Sequence, residues 1–244
     1  MIQKTQGMLQ ISNKIFCEKF LTELNITTKI LPNPYYDYPY LIIKDFISTK
    51  ICEEITASVK QNNDIVEAKI RKYTGTRIKS DKDTKMRKTN IYKLSSIHQN
   101  IYDKNFLKHQ KEIEDFFHLP LTTSTKVQVL EYTKGSFYKQ HSDDSSILLQ
   151  DEKIIGFKPV APQRKLTTIL FTTSYSETIT KDTFSGGKLL FNYLYDENAD
   201  IVEIAPKSGD MLVFLSNPYF SHEVTEVIEG QRVSLVQWHD AIFR

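Results

Sequence analysis

Between residues 126 and 239 the chain divides into eight short segments of strand character, each fenced by turn residues, and few folds can absorb such a run. The segments are 126–132, 137–143, 165–172, 187–194, 200–204, 211–216, 222–228 and 232–239. Gly135, Gly186-Gly187, Pro206 to Gly209 and Glu229-Gly230 supply the turns. Short alternating strands at this spacing indicate a sandwich or barrel, and eight of them suit a double-sheet jelly roll. The expected fold is therefore mainly β with flanking helices, on a double-stranded β-helix (jelly-roll) core. Residues 144–163 interrupt the pattern with Ile147, Leu148, Leu149, Ile154, Ile155 and Phe157. Loops of that length are commonly functional lids or disordered.

Helices are expected upstream. Ile15, Phe16, Phe20 and Leu24 share one helical face within 13–24, with Ser12 as a cap. Ser48 or Thr49 opens a second helix, with Ile51, Ile55 and Val59 at intervals of four, and 100–118 forms a third. Pro32, Pro34 and Pro39 interrupt regular structure, and 40–46 reads as a strand. The expected organisation is an extension over 1–38 carrying the first, amphipathic helix, followed by one domain over 39–244. The chain's 14 Phe and 13 Tyr are ample for a single core.

A net charge of only +2 argues against a general binder of polyanions. The marked charge run is 69–93, where ten Lys or Arg face only Asp81 and Asp83. A solvated loop or face is the ordinary explanation of such a run; a basic rim for an acidic partner is the alternative. Apolar runs stay well short of the roughly 18 residues of a membrane span. The start lacks the apolar stretch of a signal peptide, and Cys17 and Cys52 form neither a CxxC nor a disulfide framework. The expectation is a soluble protein of the reducing cytoplasm without a membrane partner.

His141-Ser142-Asp143 sets two ligand-type side chains two apart, which on a strand puts both on one face. Chance readily supplies His-x-Asp in a chain with six histidines. Context lifts this one: QVLEYTKGSFYKQHSDDS is a strand, a Gly turn and a second strand ending in the pair. His222 opens another strand in NPYFSHEVTEVIEGQRVSLVQW, followed by a Gly turn and a return. Two imidazoles and a carboxylate on one side of an octahedral ion leave the other side open, as non-haem Fe(II) oxygenases require for a co-substrate and O2. Arg232 would be a fixed cation for the far carboxylate of that co-substrate. Parity tests the idea. A three-residue turn through Gln231 pairs Ile228 with Arg232 and puts His222, Arg232, Ser234, Val236 and Trp238 on one face; a two-residue turn turns Arg232 away. His98, His109, His118 and His239 lack such company and read as ordinary core or surface residues.

The segments YTKGSFYKQHSD (132–143), RKLTTILFTTS (164–174), SGGKLLF (185–191), PKSGDMLVF (206–214) and HEVTEVIEGQRVSLVQW (222–238) carry a family resemblance. They resemble the Fe(II)- and 2-oxoglutarate-dependent dioxygenases of the prolyl 4-hydroxylase-like branch. PYLIIKDFISTKICEEI (39–55) resembles the strand-helix opening of these domains, so the similarity covers about 39–244. It implies that His141, Asp143 and His222 are the iron ligands and catalytic residues. It pairs Arg232 with the C5 carboxylate of 2-oxoglutarate and puts Tyr132 in the co-substrate pocket. Tyr138 and Trp238 match aromatics near the site, with Ile169, Phe171 and Leu189 as further lining. Core packing would explain Tyr132, Tyr138 and Trp238 as well.

Departures narrow the branch. Hypoxia-sensor prolyl hydroxylases place a second tyrosine where this chain has Phe171, and collagen-type enzymes carry lysine in place of Arg232. Nucleic-acid demethylases carry a second arginine where Trp238 stands, which argues against a nucleic-acid partner. Halogenating relatives replace the acidic ligand; Asp143 favours hydroxylation. The resemblance thus implies O2-dependent hydroxylation of an unactivated C–H bond, foremost of a prolyl residue in a protein or peptide. 2-Oxoglutarate would be decarboxylated to succinate, with ascorbate as a reductant. Alternatives are hydroxylation of a free amino acid or other small molecule, a metal-retaining binding module without catalysis, and a Zn(II) hydrolase using the same three ligands. The 144–163 segment, with the basic 69–93 loop, is expected to form a lid over the substrate. Oligomeric state is left open.

Overall fold

Period-two alternation and turn glycines fold residues 128–241 into eight core strands. They are β1 (Gln128–Tyr132), β2 (Phe137–His141), β3 (Leu166–Phe171), β4 (Leu189–Tyr195), β5 (Ile201–Ile204), β6 (Met211–Leu215), β7 (His222–Val224) and β8 (Arg232–Ala241). The computed structural model describes residues 8–10, 14, 16–18, 38–61, 70–74, 77–81, 84–151 and 153–242. One sheet takes the order β6-β3-β8-β1 and the other β5-β4-β7-β2, with every neighbour antiparallel. This is the expected jelly roll. Leu41–Ile43, Asn90–Lys93 and Leu121–Ser124 widen the first sheet; Arg87–Lys88, Phe16–Glu18 and Met8–Gln10 widen the second.

Two helices cover the outer face of the first sheet. In α1 (Thr49–Gln61), Cys52, Ile55, Thr56 and Val59 form a buried stripe at i, i+3, i+4 and i+7. Ser95 caps α2 (Ser96–Phe117) by accepting from the His98 N–H, and Phe106 of this helix stacks on His239 at 4.6 Å. Thr168 therefore faces α2, bonded to the Tyr102 hydroxyl at 3.0 Å, while alternation turns Thr167, Ile169 and Phe171 inward. Aromatic side chains fill the space between the sheets. Phe214 of β6 meets Phe191 of β4 edge-on at 5.2 Å, and burying each such ring contributes about 1.5–3 kcal/mol.

The structure corrects four expectations. The segment 222–228 is not one strand: after β7 the chain turns aside, and Val227–Gly230 pairs with Thr183–Gly186 in a separate three-stranded sheet. Ile228 therefore does not pair with Arg232, whose partner is Tyr132 of β1. The expected hairpin fails because β7 and β8 belong to opposite sheets. The 144–163 interruption is no irregular loop but a β-hairpin, Ser145–Gln150 against Lys153–Pro159, turned at Asp151 with φ +49°. Asp143 lies in a bend beyond the end of β2 rather than on the strand. Within the expected helix over 13–24, Phe16–Glu18 form a strand against Leu194 and Tyr195; the remainder, Lys14 apart, lies outside the described residues. An isolated helix that short is marginal in water, and an open sheet edge offers its backbone a partner.

The basic run carries further strands, with Ile70–Thr74 pairing Arg77–Asp81 as a second hairpin. The first of these strands approaches Ser145–Gln150, bringing the two hairpins side by side. Cys52 is a buried free thiol. Among the described residues no helix is long and apolar enough to cross a membrane.

Candidate metal and co-substrate site

His141 ends β2 and His222 opens β7, and the two are direct cross-strand partners with ring centroids 4.2 Å apart. The register slips between Tyr138 and His141, which face Val224 and His222. Such a bulge re-aims side chains next to a site. Here Tyr138 comes face to face with the His141 ring, at 3.5 Å. Asp143 reaches back from its bend, one carboxylate oxygen 4.0 Å from His141 Nε2 and the other 4.0 Å from His222 Nε2. The three ligand atoms lie within 4.8 Å of one another.

Each ring is oriented from behind. His141 Nδ1 lies 2.9 Å from the Lys139 carbonyl and His222 Nδ1 2.9 Å from the Phe220 carbonyl. A carbonyl only accepts, so both Nδ1 atoms carry a proton and both Nε2 atoms face the centre. Burial, together with the neighbouring His222, holds the His141 pKa well below its ordinary value and keeps the ring neutral. Burial pushes the Asp143 carboxyl up, but His222, His141, the Thr167 hydroxyl and Arg164 outweigh it and leave the pKa lowered. Neutral imidazoles and an ionised carboxylate are the protonation states a divalent ion requires. Phe214 stands 5.0 Å from the His222 ring and Phe191 6.2 Å, a dry wall behind the ligands.

Arg232 is the first residue of β8 and is 1 % exposed. Its Nη1 donates to Ser234 Oγ at 3.0 Å, its Nε has no hydrogen-bond partner, and no carboxylate of a described residue pairs with it. The guanidinium lies 4.9 Å from the Tyr132 ring and 5.6 Å from Phe171. A buried cation without a counter-charge is costly, and this one fits a carboxylate supplied by a ligand. Gly187, at φ +58°, makes room for it: a Cβ there would lie 3.2 Å from Arg232 Cδ and 2.9 Å from Val227.

The other anticipated residues divide along the strands. Ile169 and Phe171 lie on the inward face of β3, and Leu189 is fully buried at the start of β4, opposite Val224. Trp238 shares the inward parity of Arg232 but lies at the far end of β8 beside Thr167, with Arg164 stacked on its indole at 3.7 Å. Two contributors escaped the sequence reading. Thr167 Oγ1 donates to Asp143 Oδ2 at 2.7 Å, and Arg164 Nη1 donates to the Asp143 carbonyl at 3.1 Å. Ile169 and Phe171 were named from the resemblance, and alternation along the same strand marks Thr167 as inward with them; Arg164 had no signal beyond its place in the 164–174 segment.

Two facing sheets with a His-Asp-His cluster and a buried cation between them define a class, the oxygenases that use Fe(II) with 2-oxoglutarate. Residues 127–240 match the 2OG-Fe(II) oxygenase superfamily, and the chain is similar to its prolyl hydroxylase-like, 2-oxoglutarate-dependent members. It is 25% identical over 217 residues to prolyl 4-hydroxylase 1 of Arabidopsis thaliana, covering 81% of this chain and 67% of that one. Its fold is similar to that of a Pseudomonas putida prolyl-4-hydroxylase, with a TM-score of 0.56 and 17% identity over 84% of this chain and 94% of the other. A prolyl hydroxylase from Trichoplax adhaerens, in complex with a hypoxia inducible factor oxygen degradation domain peptide fragment, also gives a TM-score of 0.56. Its identity is 17%, over 83% of each chain.

Proposed function

We propose that the protein hydroxylates a prolyl residue in a protein or peptide, coupled to conversion of 2-oxoglutarate to succinate and carbon dioxide. The observation that carries this reading is the pairing, inside one jelly roll, of the His141-Asp143-His222 cluster with the unpaired buried guanidinium of Arg232. The prolyl target follows the likeness to the Arabidopsis enzyme. His141, Asp143 and His222 would hold Fe(II), which with O2 and 2-oxoglutarate supplies the oxidising power for hydroxylation. Arg232 fixes the distal carboxylate of the co-substrate, and Tyr132 and Phe171 wall it in. Phe191 and Phe214 exclude water from the reacting volume. Ascorbate serves as reductant.

The Ser145–Pro159 hairpin starts two residues beyond Asp143 and, with the basic hairpin beside it, acts as a lid on a bound peptide. Deletion of 146–160 raises the KM for substrate or uncouples 2-oxoglutarate turnover; unchanged coupled kinetics would remove that role. The function is tested by incubating the protein with Fe(II), ascorbate, 2-oxoglutarate and a panel of proline-containing peptides, reading succinate and product mass. Gain of one oxygen on proline is the expected result. Succinate release that responds only to small amino acids, or none at all, overturns the prolyl assignment.

A further inference from the structure

Glu131 is 8 % exposed on the outer face of the first sheet, and no cation among the described residues pairs with its carboxylate. Three neutral donors hold it instead. Oε2 accepts from Asn90 Nδ2 at 3.0 Å and from the Tyr92 hydroxyl at 2.8 Å, while Oε1 accepts from Gln231 Nε2. The Thr89 hydroxyl donates to the Glu131 carbonyl at 2.7 Å. Buried carboxylates are expensive unless well hydrogen-bonded, so this one is committed to joining three segments: Asn90–Lys93, β1 and the residue that precedes β8.

That third segment is where the co-substrate cation enters. Gly230, at φ +82°, closes the strand that pairs with Thr183–Gly186, and two residues later Arg232 begins β8 in the first sheet, opposite Tyr132. The chain thus changes sheets within Gln231. Gln231 is tied to Glu131 on one side of Arg232, and on the other the Val233 N–H donates to Thr173 Oγ1 at 2.9 Å. Among the described residues the guanidinium has only the Ser234 hydrogen bond of its own. Its position is therefore set by the backbone from which it projects.

We propose that Glu131 is a positioning residue for the co-substrate: by holding Gln231 it clamps the sheet-changing backbone and pre-aims Arg232 at the distal carboxylate. This rests on the assignment of Arg232 to 2-oxoglutarate. Pre-organisation of this kind acts on binding rather than on the chemical step.

The test uses Gln231→Leu, the swapped double variant E131Q/Q231E, and Ser124→Ala as a stability control at the other end of β8, where Ser124 bonds His239. The dissociation constant of 2-oxoglutarate is measured calorimetrically on Fe(II)-loaded protein under argon. Amide exchange at Arg232 is measured on metal-free protein, and kcat at saturating co-substrate. Q231L is expected to weaken 2-oxoglutarate binding roughly tenfold, the scale of outer-shell substitutions at such sites. It should also speed exchange at Arg232 and leave kcat unchanged, and the swap should restore both affinity and protection. Unaltered affinity in Q231L, an equal loss in S124A, or a swap that restores nothing overturns the proposal. Wild-type protein that binds no 2-oxoglutarate instead overturns the role of Arg232, and with it the basis of this one.

Discussion

Replacing Thr167 with valine removes one hydroxyl from the site while keeping its shape. That hydroxyl donates to Asp143 Oδ2 at 2.7 Å, so the 2.8 Å contact with Ser216 Oγ must run from Ser216 to Thr167. A hydrogen bond to a charged group contributes about 1.5–3 kcal/mol, and the stranded Ser216 donor adds roughly 1 kcal/mol or more. Metal-free T167V should therefore be about 2–4 kcal/mol less stable. The consequence for the ion is separable. Asp143 keeps the Arg164 contact at its backbone carbonyl but loses the donor that fixes its carboxylate plane. Outer partners of ligands are typically worth 10- to 100-fold in metal affinity, about 1.4–2.7 kcal/mol. The assay is chelator competition for Fe(II) or Co(II), alongside melting of metal-free protein. Thr167→Ser, which keeps the hydroxyl, should recover most of the affinity. A T167V protein that melts early yet holds metal as tightly as wild type would refute the orienting role and leave Thr167 a core hydrogen bond only.

Arg232→Met should abolish 2-oxoglutarate binding while metal-free protein stays as stable as wild type or gains, because an unpaired buried cation is replaced by an apolar chain of similar reach; calorimetry and melting check the two halves separately. Gly230→Ala puts a Cβ against the Thr183 carbonyl and 2.8 Å from Phe184 Cα at φ +82°. The backbone strain alone should cost about 1–3 kcal/mol, and a wild-type urea midpoint would contradict it. Burial lowers the His239 pKa to about 3, against about 6.5 unfolded. The unfolded chain thus binds the extra proton below about pH 6.5, and stability present above that pH is lost toward pH 3 at up to roughly 1.4 kcal/mol per pH unit. His239→Gln should lack this slope, so that the wild-type advantage shrinks as pH falls; parallel pH-stability curves would show that His239 does not titrate there.

The core was legible wherever burial enforces a period. β3 and β6 are buried at every position because helices cover one face and the opposite sheet the other, and Gly209 bounds β6. What sequence parity could not see was where the chain leaves a sheet. A Gly turn between two strand-like segments reads as a hairpin, but Gly230 hands the chain from one sheet to another. Arg232 faces inward all the same, because Tyr132 rather than Ile228 sets its register. His141 and Asp143 converge for a similar reason. A bulge before His141 and a bend at Asp143 bring them together, whereas two-residue alternation on an unbroken strand was the expected cause. In the 144–163 hairpin, Leu149 and Ile155 are exposed at 63% and 53%, so no alternation of buried and open positions announced its strands.

The division of labour between the sheets explains why the site residues are spread so thinly along the chain. His141 and His222 belong to one sheet and Arg232 to the other, and Asp143 sits on the link between them. No single sheet holds the site, which exists only when the jelly roll closes. A metal-retaining binding module would need the first set alone, and so would a hydrolase. Burying a guanidinium at 1 % exposure with Nε unbonded serves neither, since a methionine would pack there without a desolvation cost. The expense is recovered only if a small carboxylate enters between the sheets and becomes the missing counter-ion. Affinity for 2-oxoglutarate should accordingly exceed that for a monocarboxylate 2-oxo acid of similar size, and Arg232→Met should erase the difference. Equal affinity of wild-type protein for the two acids would break the link between the unpaired arginine and its ligand.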